Sequence, residues 1–270
     1  MSTLNNNTPP MKSRYKFELL APADVAQRCS FSSFRRVPEA YSAYLKQLQI
    51  LRANAYVDDG AIRASDVDHE GRFRMNGDEE SWHLLLIDHD FDRVVGCARY
   101  LVHSGAVNFD QLGISRTAIV ADPVTGPSIR QVIKSDLAFA RHRNFCYIEI
   151  GGWAVSPHWR RTTAALDILA GSFALGELWG GCIGLCTATF RNASAQMIRR
   201  FSGSTSEMVC SPFIVYFDPH YDCPMELIRL NSQPAERYAG FVEDAKVRLR
   251  QIQPLRRDSF PVTLPLPLIA

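Results

Sequence analysis

The sequence predicts a single α/β domain, and three observations carry that expectation. Two apolar strand patterns at 82–88 and 93–102 flank the turn-like His89-Asp90-Phe91-Asp92. A strand, helix, strand, helix run occupies 145–203, and a second strand pair, 212–218 and 224–231, precedes a closing helical pattern at 234–252. With 270 residues, 46% hydrophobic and 21% charged, the chain has material for one enzyme-sized core, and its composition is not that of a disordered, collagenous or coiled-coil protein.

Residues 1–14, with three consecutive asparagines and Pro9-Pro10, read as a flexible tail, 15–253 as the domain, and 254–270 as a proline-rich C-terminal tail. Tyr44, Leu45, Leu48 and Leu51 recur at helical spacing, which predicts an amphipathic helix over 40–56. The acid-rich stretch 58–80 reads as a polar loop with few core residues. After the first hairpin, 103–128 is loop-like, and 129–142 is compatible with a helix. The strand at 145–155 is interrupted by Gly151-Gly152, a pairing that marks a bulge and frees backbone groups to face a ligand. A largely buried helix is expected over 160–179, stopped by Gly180-Gly181, then an apolar strand over 182–190. Asn192 is expected to cap the next helix, with Gly203 after its end.

Charge and cysteine usage narrow the setting. Thirty Lys and Arg against 28 Asp and Glu leave a net charge of +2, so no chain-wide field draws the protein to nucleic acid or an anionic membrane. Seven scattered cysteines and a start without an apolar signal core point to a reducing, cytoplasmic compartment. No apolar run approaches the roughly 20 residues of a membrane span. The acidic turn at 88–92 lacks the glycine and closing glutamate of a calcium loop, Cys182 and Cys186 share one strand face as core residues, and no metal site is expected.

Chemistry concentrates after the bulged strand. Arg160 and Arg161 open the helix expected there, and small residues Thr162, Thr163, Ala164 and Ala165 follow, so a phosphate group would meet free N–H groups, the helix dipole and guanidinium charge together. The run Val155-Ser156-Pro157-His158-Trp159-Arg160-Arg161-Thr162-Thr163-Ala164-Ala165, followed by the helix opening at Asn192, resembles the paired motifs of the GCN5-related N-acetyltransferase (GNAT) superfamily. Thr163 stands where that family has its first loop glycine. Leu51-Arg52-Ala53-Asn54-Ala55-Tyr56-Val57, Val95-Gly96-Cys97-Ala98-Arg99 and Glu149-Ile150-Gly151-Gly152-Trp153-Ala154-Val155 resemble segments of the acyl-homoserine-lactone autoinducer synthases, with Gly152 where those carry arginine. The acidic loop and the segment 215–231 look closer to the related N-acyl amino acid synthases.

The resemblance implies a central mixed, mostly antiparallel, splayed sheet flanked by helices. It also implies an N-acyltransferase that moves a long fatty acyl group from acyl carrier protein or acyl-CoA to the amine of an amino acid or similar small acceptor. The acyl-phosphopantetheine thioester would be a co-substrate, with no tightly bound cofactor. Arg160, Arg161, Thr162, Thr163, Ala164, Ala165 and Asn192 would hold the donor, and Arg160, Arg161, Arg199 and Arg200 would face the acidic carrier protein. An acetyl-CoA-dependent enzyme and a non-catalytic acyl-ligand sensor are the alternatives.

Acyl transfer to an amine needs loss of a proton and donors for the developing oxyanion. Glu149 beside the bulge is the candidate base, acting directly or through water, or else a structural partner of Arg99. Backbone N–H groups from Trp153 to Val155 are the candidate oxyanion donors. Arg52, Tyr56 and Arg99 either hold the acceptor carboxylate or form an ion-pair network with Asp66, Asp68 and Asp78. Phe145, Ile148, Ile150, Ile183, Leu185, Phe213, Val215 and Phe217 are the expected walls of an acyl tunnel.

Overall fold

Strand pairing organises the described residues, 14–24, 30–202, 213–219 and 221–258, in a computed structural model of the chain. In chain order the elements are β1 (Tyr15–Ala21), α1 (Pro38–Asp58), β2 (Trp82–Asp88), β3 (Val94–His103), α2 (Ala118–Ala121), α3 (Gly126–Arg143), β4 (Cys146–Val155), α4 (Ala164–Leu178), β5 (Cys182–Thr189), α5 (Ser194–Phe201), β6 (Phe213–Asp218), β7 (Cys223–Asn231), α6 (Ala239–Arg250) and β8 (Leu255–Arg256). They form one eight-stranded sheet in the order β6-β7-β5-β4-β3-β2-β1-β8. Neighbours run antiparallel except β4 with β5 and β1 with β8, so the sheet is mixed and mostly antiparallel. A parallel neighbour needs a crossover, and α4 supplies the one between β4 and β5.

Helices cover both faces. Against one face lie α1, over Leu85, Ile87, Cys97 and Ala154, and α3 with the 107–120 segment, over Tyr147, Ile183 and Leu185. Against the other lie α4, α5 and α6, packed on Leu84, Tyr100, Ile148, Cys186 and Ile228. The largely apolar middle of α4 is explained by this position, since Ile168 through Ala174 is buried apart from Ser172. Pro38 begins α1 where a missing N–H costs nothing, and Asn144 ends α3 in the left-handed conformation with φ 60°.

Several sequence expectations shift. Both hairpins, α1, β4 and β5 fall within a few residues of their expected bounds. The strand β1 had no expectation, because Glu18 is buried with its neighbours and the apolar alternation lasts only three residues. The 103–128 segment is not a plain loop: Val107, Phe109, Leu112, Ile114, Ile119 and Val120 form a core under α3 through short helical turns. The helix expected at 160 starts at Ala164, since Pro157–Trp159 is a separate 3-10 turn. Asn192 is not a helix cap; it lies within the 3-10 turn Arg191–Ala193, and Ala193 occupies the cap position with φ 60°. The final helix begins at Ala239 after a 3-10 turn. Residues 255–256, in the segment expected as a C-terminal tail, pair with β1. Residues 1–13, Gly203 and 259–270 lie outside the described residues, so most of both expected tails does too.

Candidate active site

The site begins where β4 and β5 part. Their parallel pairing runs from Cys146 opposite Cys182 to Ile150 opposite Cys186 and ends there. Beyond it, β4 stays with β3 while β5 stays with β7. Gly152, with φ 62°, takes a conformation open to glycine and breaks the β3–β4 register between Cys97 and Arg99. The inserted residue reverses the alternation: Ile148 and Ile150, then Trp153 and Val155, face α4, while Tyr147 and Ala154 face the other way. A splayed sheet with an unpaired β4 edge from Gly151 to Val155 is the result.

A cavity of about 170 Å³ fills this gap. Tyr56, Met75 and Tyr221 line it on the α1 side, Gly151, Gly152, Thr187 and Thr189 in the gap, and Ile168, Phe173 and Ile198 on the α4 side. Cys182, Gly184 and Leu230 line the end where the two strands still pair. At Gly184 an added Cβ would lie 2.3 Å from the Ile148 carbonyl oxygen, so only glycine lets the strands meet there. Burial pushes the Cys182 and Cys186 thiols up to about 12, which keeps them neutral apolar lining. Of the expected walls, Ile148 and Ile150 line the cavity. Phe145, Ile183 and Leu185 instead pack toward α3, and Val215 and Phe217 are exposed, because they lie on the opposite sheet face or on the edge strand; the side chain of Phe213 lies outside the described residues.

On the α1 side, charges are buried. Arg52 is fully buried and donates to Asp78 from Nη1 (2.9 Å) and Nη2 (2.5 Å), and to the Phe73 carbonyl. Arg99 donates to the Asn76 carbonyl at 2.6 Å, with Asp78 Oδ1 at 3.8 Å. Burial would raise the Asp78 pKa, yet the Arg52 hydrogen bond and charge outweigh it and hold the carboxyl below its usual range. Of the three expected acceptor residues, Tyr56 lines the cavity, whereas Arg52 and Arg99 stand behind Gly152. The expected network is corrected to Asp78 alone: Asp66 caps its own turn, and Asp68 pairs with Arg72 and Arg74 within the loop. Asp78 is also a core residue in a stretch expected to hold few.

Glu149 does not line the cavity. Its carboxylate accepts from His103 Nε2 (2.8 Å), Gly113 N (2.9 Å) and Ile114 N (3.0 Å), and these donors overcome burial to hold its pKa below the normal value. Tyr56 Oη donates to the Trp153 carbonyl at 3.4 Å. The Trp153 indole N–H is buried with no protein partner among the described residues, and Trp153 lines the cavity.

Of the expected donor residues, Arg160 to Ala165 lie around the start of α4, whereas Asn192 lies in the turn before α5 and its side chain is outside the described residues. Arg160 lies in the turn before α4, donating from Nε to the Val155 carbonyl and pairing with Asp59 at 3.3 Å. Thr162 donates to the Trp159 carbonyl and accepts from Ala164 N. Thr163 Oγ1 lies 3.1 Å from Tyr15 Oη, which also donates to Asp167 in the first turn of α4. Arg161 and Ala165 flank this group, and Arg199 is drawn away to Glu226. Asp59, Arg191, Met75, Tyr221 and Ser172 had no expected role. Arg191 donates to the Gly60 and Asp222 carbonyls and so ties the end of α1 to the β6–β7 turn. No local sequence pattern marks such long-range partners.

No family model matches the chain, and no curated protein matches it in sequence. Solved structures match its fold. BjaI, a CoA-dependent acyl-homoserine lactone synthase solved with SAM and isopentyl-CoA, is similar at 11% identity and a TM-score of 0.51, over 92% of this chain and 95% of that one. MesI, another CoA-dependent acyl-homoserine lactone synthase, is similar at 13% identity and a TM-score of 0.46, over 82% and 95%. FeeM, an N-acyl amino acid synthase from uncultured soil microbes, is similar at 11% identity and a TM-score of 0.45, over 88% and 98%. Sheet order, splay and the likeness to BjaI together show that this chain carries a GNAT-like α/β fold, a splayed, mostly antiparallel sheet flanked by helices.

Proposed function

We propose that the chain is an N-acyltransferase that moves a long-chain fatty acyl group from a phosphopantetheine thioester to the amine of an amino acid or similar small acceptor. The observation that carries this reading is the apolar cavity at the β4–β5 splay, lined from both sheet faces and set beside a buried cluster with two guanidinium groups and one carboxylate. An apolar chain gains about 0.8 kcal/mol per buried CH₂, so such a cavity favours an acyl tail over an acetyl group.

In this reading the acceptor nitrogen attacks the thioester carbonyl carbon, the C–S bond breaks, and the thiol leaves as the amide forms. The unpaired β4 edge, with the N–H groups of Trp153 and Val155, stabilises the oxyanion. Tyr56 touches the acceptor, and Arg99, with Arg52 behind it, supplies a positive field for its carboxylate. Glu149, held by three donors, positions the 113–116 turn, and the ammonium proton leaves to water. Arg160, Arg161, Thr162, Thr163, Ala164, Ala165 and Asn192 form the donor side, and the arginines there suit the acidic surface of acyl carrier protein. A cytoplasmic setting suits both donors; no described helix is long and apolar enough to cross a membrane.

The test is amine-dependent thiol release from dodecanoyl and acetyl thioesters, on carrier protein and on CoA, with mass spectrometry of the product. Faster release from dodecanoyl donors and an N-acyl product are expected. Preference for acetyl, or release independent of amine, overturns the reading.

A further inference from the structure

On the α4 side the cavity meets one hydroxyl pair whose protons are both committed. Ser172 is the residue between Ile168 and Ala174 that is not buried, and it lines the cavity. Its Oγ lies 2.8 Å from the Ile168 carbonyl oxygen and 2.6 Å from Tyr100 Oη. Tyr100 is 1% exposed and points from β3 beneath α4. Ser172 has a single proton to give. Directed at Ile168, it lets Tyr100 donate to Ser172, and both protons are satisfied; directed at Tyr100, it strands the tyrosine proton unpaired in the core. The first arrangement therefore holds. Ser172 Oγ then keeps one lone pair and no proton for whatever fills the cavity.

We infer that Ser172 is a specificity-determining residue that selects acyl chains carrying a hydroxyl group. A ligand hydroxyl donates to that lone pair. A keto oxygen at the same carbon brings a second acceptor against it, and a methylene leaves the lone pair desolvated and unpaired. This inference rests on the acyl-transfer reading only for the identity of the chain as a donor, and binding tests it without turnover.

The experiment measures dissociation constants by intrinsic tryptophan fluorescence for dodecanoyl-pantetheine, its positional hydroxy isomers and the matching keto compounds. Full-length wild type is compared with Ser172→Ala and with Tyr100→Phe/Ser172→Ala, which removes both hydroxyls and strands neither proton. One hydroxy isomer is expected to bind wild type about tenfold tighter than the plain chain, with the keto compound no better than the plain chain. In the double variant the hydroxy-to-plain ratio is expected to fall to about one. The inference is overturned if no hydroxy isomer is preferred or if the preference survives in the double variant. Biased binding without thiol release would overturn the acyl-transfer reading alone, whereas release without bias would overturn the hydroxyl selection alone.

Discussion

Arg52 and Asp78 form a two-point ion pair, 2.9 and 2.5 Å between heavy atoms, with side chains 0% and 3% exposed. One carboxylate thereby serves two guanidinium groups, because Arg99 lies 3.8 Å away on the adjoining strand. The pair fixes the acid-rich loop to α1 directly behind the Gly152 bulge, where an added Cβ would lie 3.0 Å from Arg52 Nη1.

The two partners are not equivalent in what their loss exposes. Asp78→Leu leaves two buried guanidinium groups facing each other, whereas Arg52→Met leaves Asp78 still near Arg99. Breaking a buried pair costs about 3–5 kcal/mol, and the Asp78 change is expected at or above the upper end, the Arg52 change below it. Urea unfolding of both variants checks the order. Equal losses would show that Arg99 draws nothing from Asp78.

His83 makes stability depend on mildly acid pH. It is 1% exposed, its Nε2–H donates to the Asp78 carbonyl at 2.7 Å, and burial drops its pKa from 6.5 to about 4. Between those values the unfolded chain binds a proton that the folded chain refuses, so stability falls as pH drops from 6.5 toward 4 and this contribution levels off below. The full span corresponds to about 3 kcal/mol. Unfolding curves at pH 7, 5.5 and 4.5 are expected to show most of this loss in wild type and little of it in His83→Gln. Asp78 and Glu149, both held below the usual carboxylate range, add their losses only at lower pH.

Glu149 allows two outcomes to be separated by a pH profile. A general base would give an acid limb in kcat that Glu149→Gln removes. A carboxylate already accepting from His103, Gly113 and Ile114 instead anchors a turn, and the amide puts a donor where three donors converge. The expected result is a stability loss of about 1–3 kcal/mol and a kcat decrease of similar size at every pH, with the profile's shape retained. Disappearance of the acid limb would return Glu149 to the role of base.

Periodicity made the scaffold legible and left its charges hidden. Tyr44, Leu48 and Leu51 announced α1, and Gly151-Gly152 announced the bulge, since both are local consequences of helix geometry and of glycine's freedom at positive φ. Arg52 is on the same helix, and Asp66, Asp68 and Asp78 are its expected acidic partners, but nothing within a turn of it singles out Asp78, 26 residues away. The cavity was legible only as a supply of apolar strand residues. Which of them line it depends on where β5 leaves β4, and that is decided by pairing with β7 far along the chain. Short segments such as β1 and the turns at 109–116 escaped because burial on both sides removes alternation.

Arg160 is the donor-side residue with the sharpest test, because its guanidinium already has an anion. The Asp59 pair, 3.3 Å long with side chains 34% and 22% exposed, is worth at most about 1 kcal/mol, so its removal is expected to leave the melting temperature nearly unchanged. A donor phosphate at the start of α4 must compete with that carboxylate for Arg160. Asp59→Asn frees the guanidinium and is expected to lower the donor KM several-fold, while Arg160→Glu sets negative charge against phosphate and is expected to raise it by a factor of ten or more. The opposite signs matter more than either size, since general damage to the mouth of the cavity would raise KM in both. Steady-state kinetics with dodecanoyl-CoA and dodecanoyl carrier protein checks this, and added salt should shrink both shifts as screening weakens the competition. If both variants keep the wild-type donor KM, the phosphate binds away from Arg160.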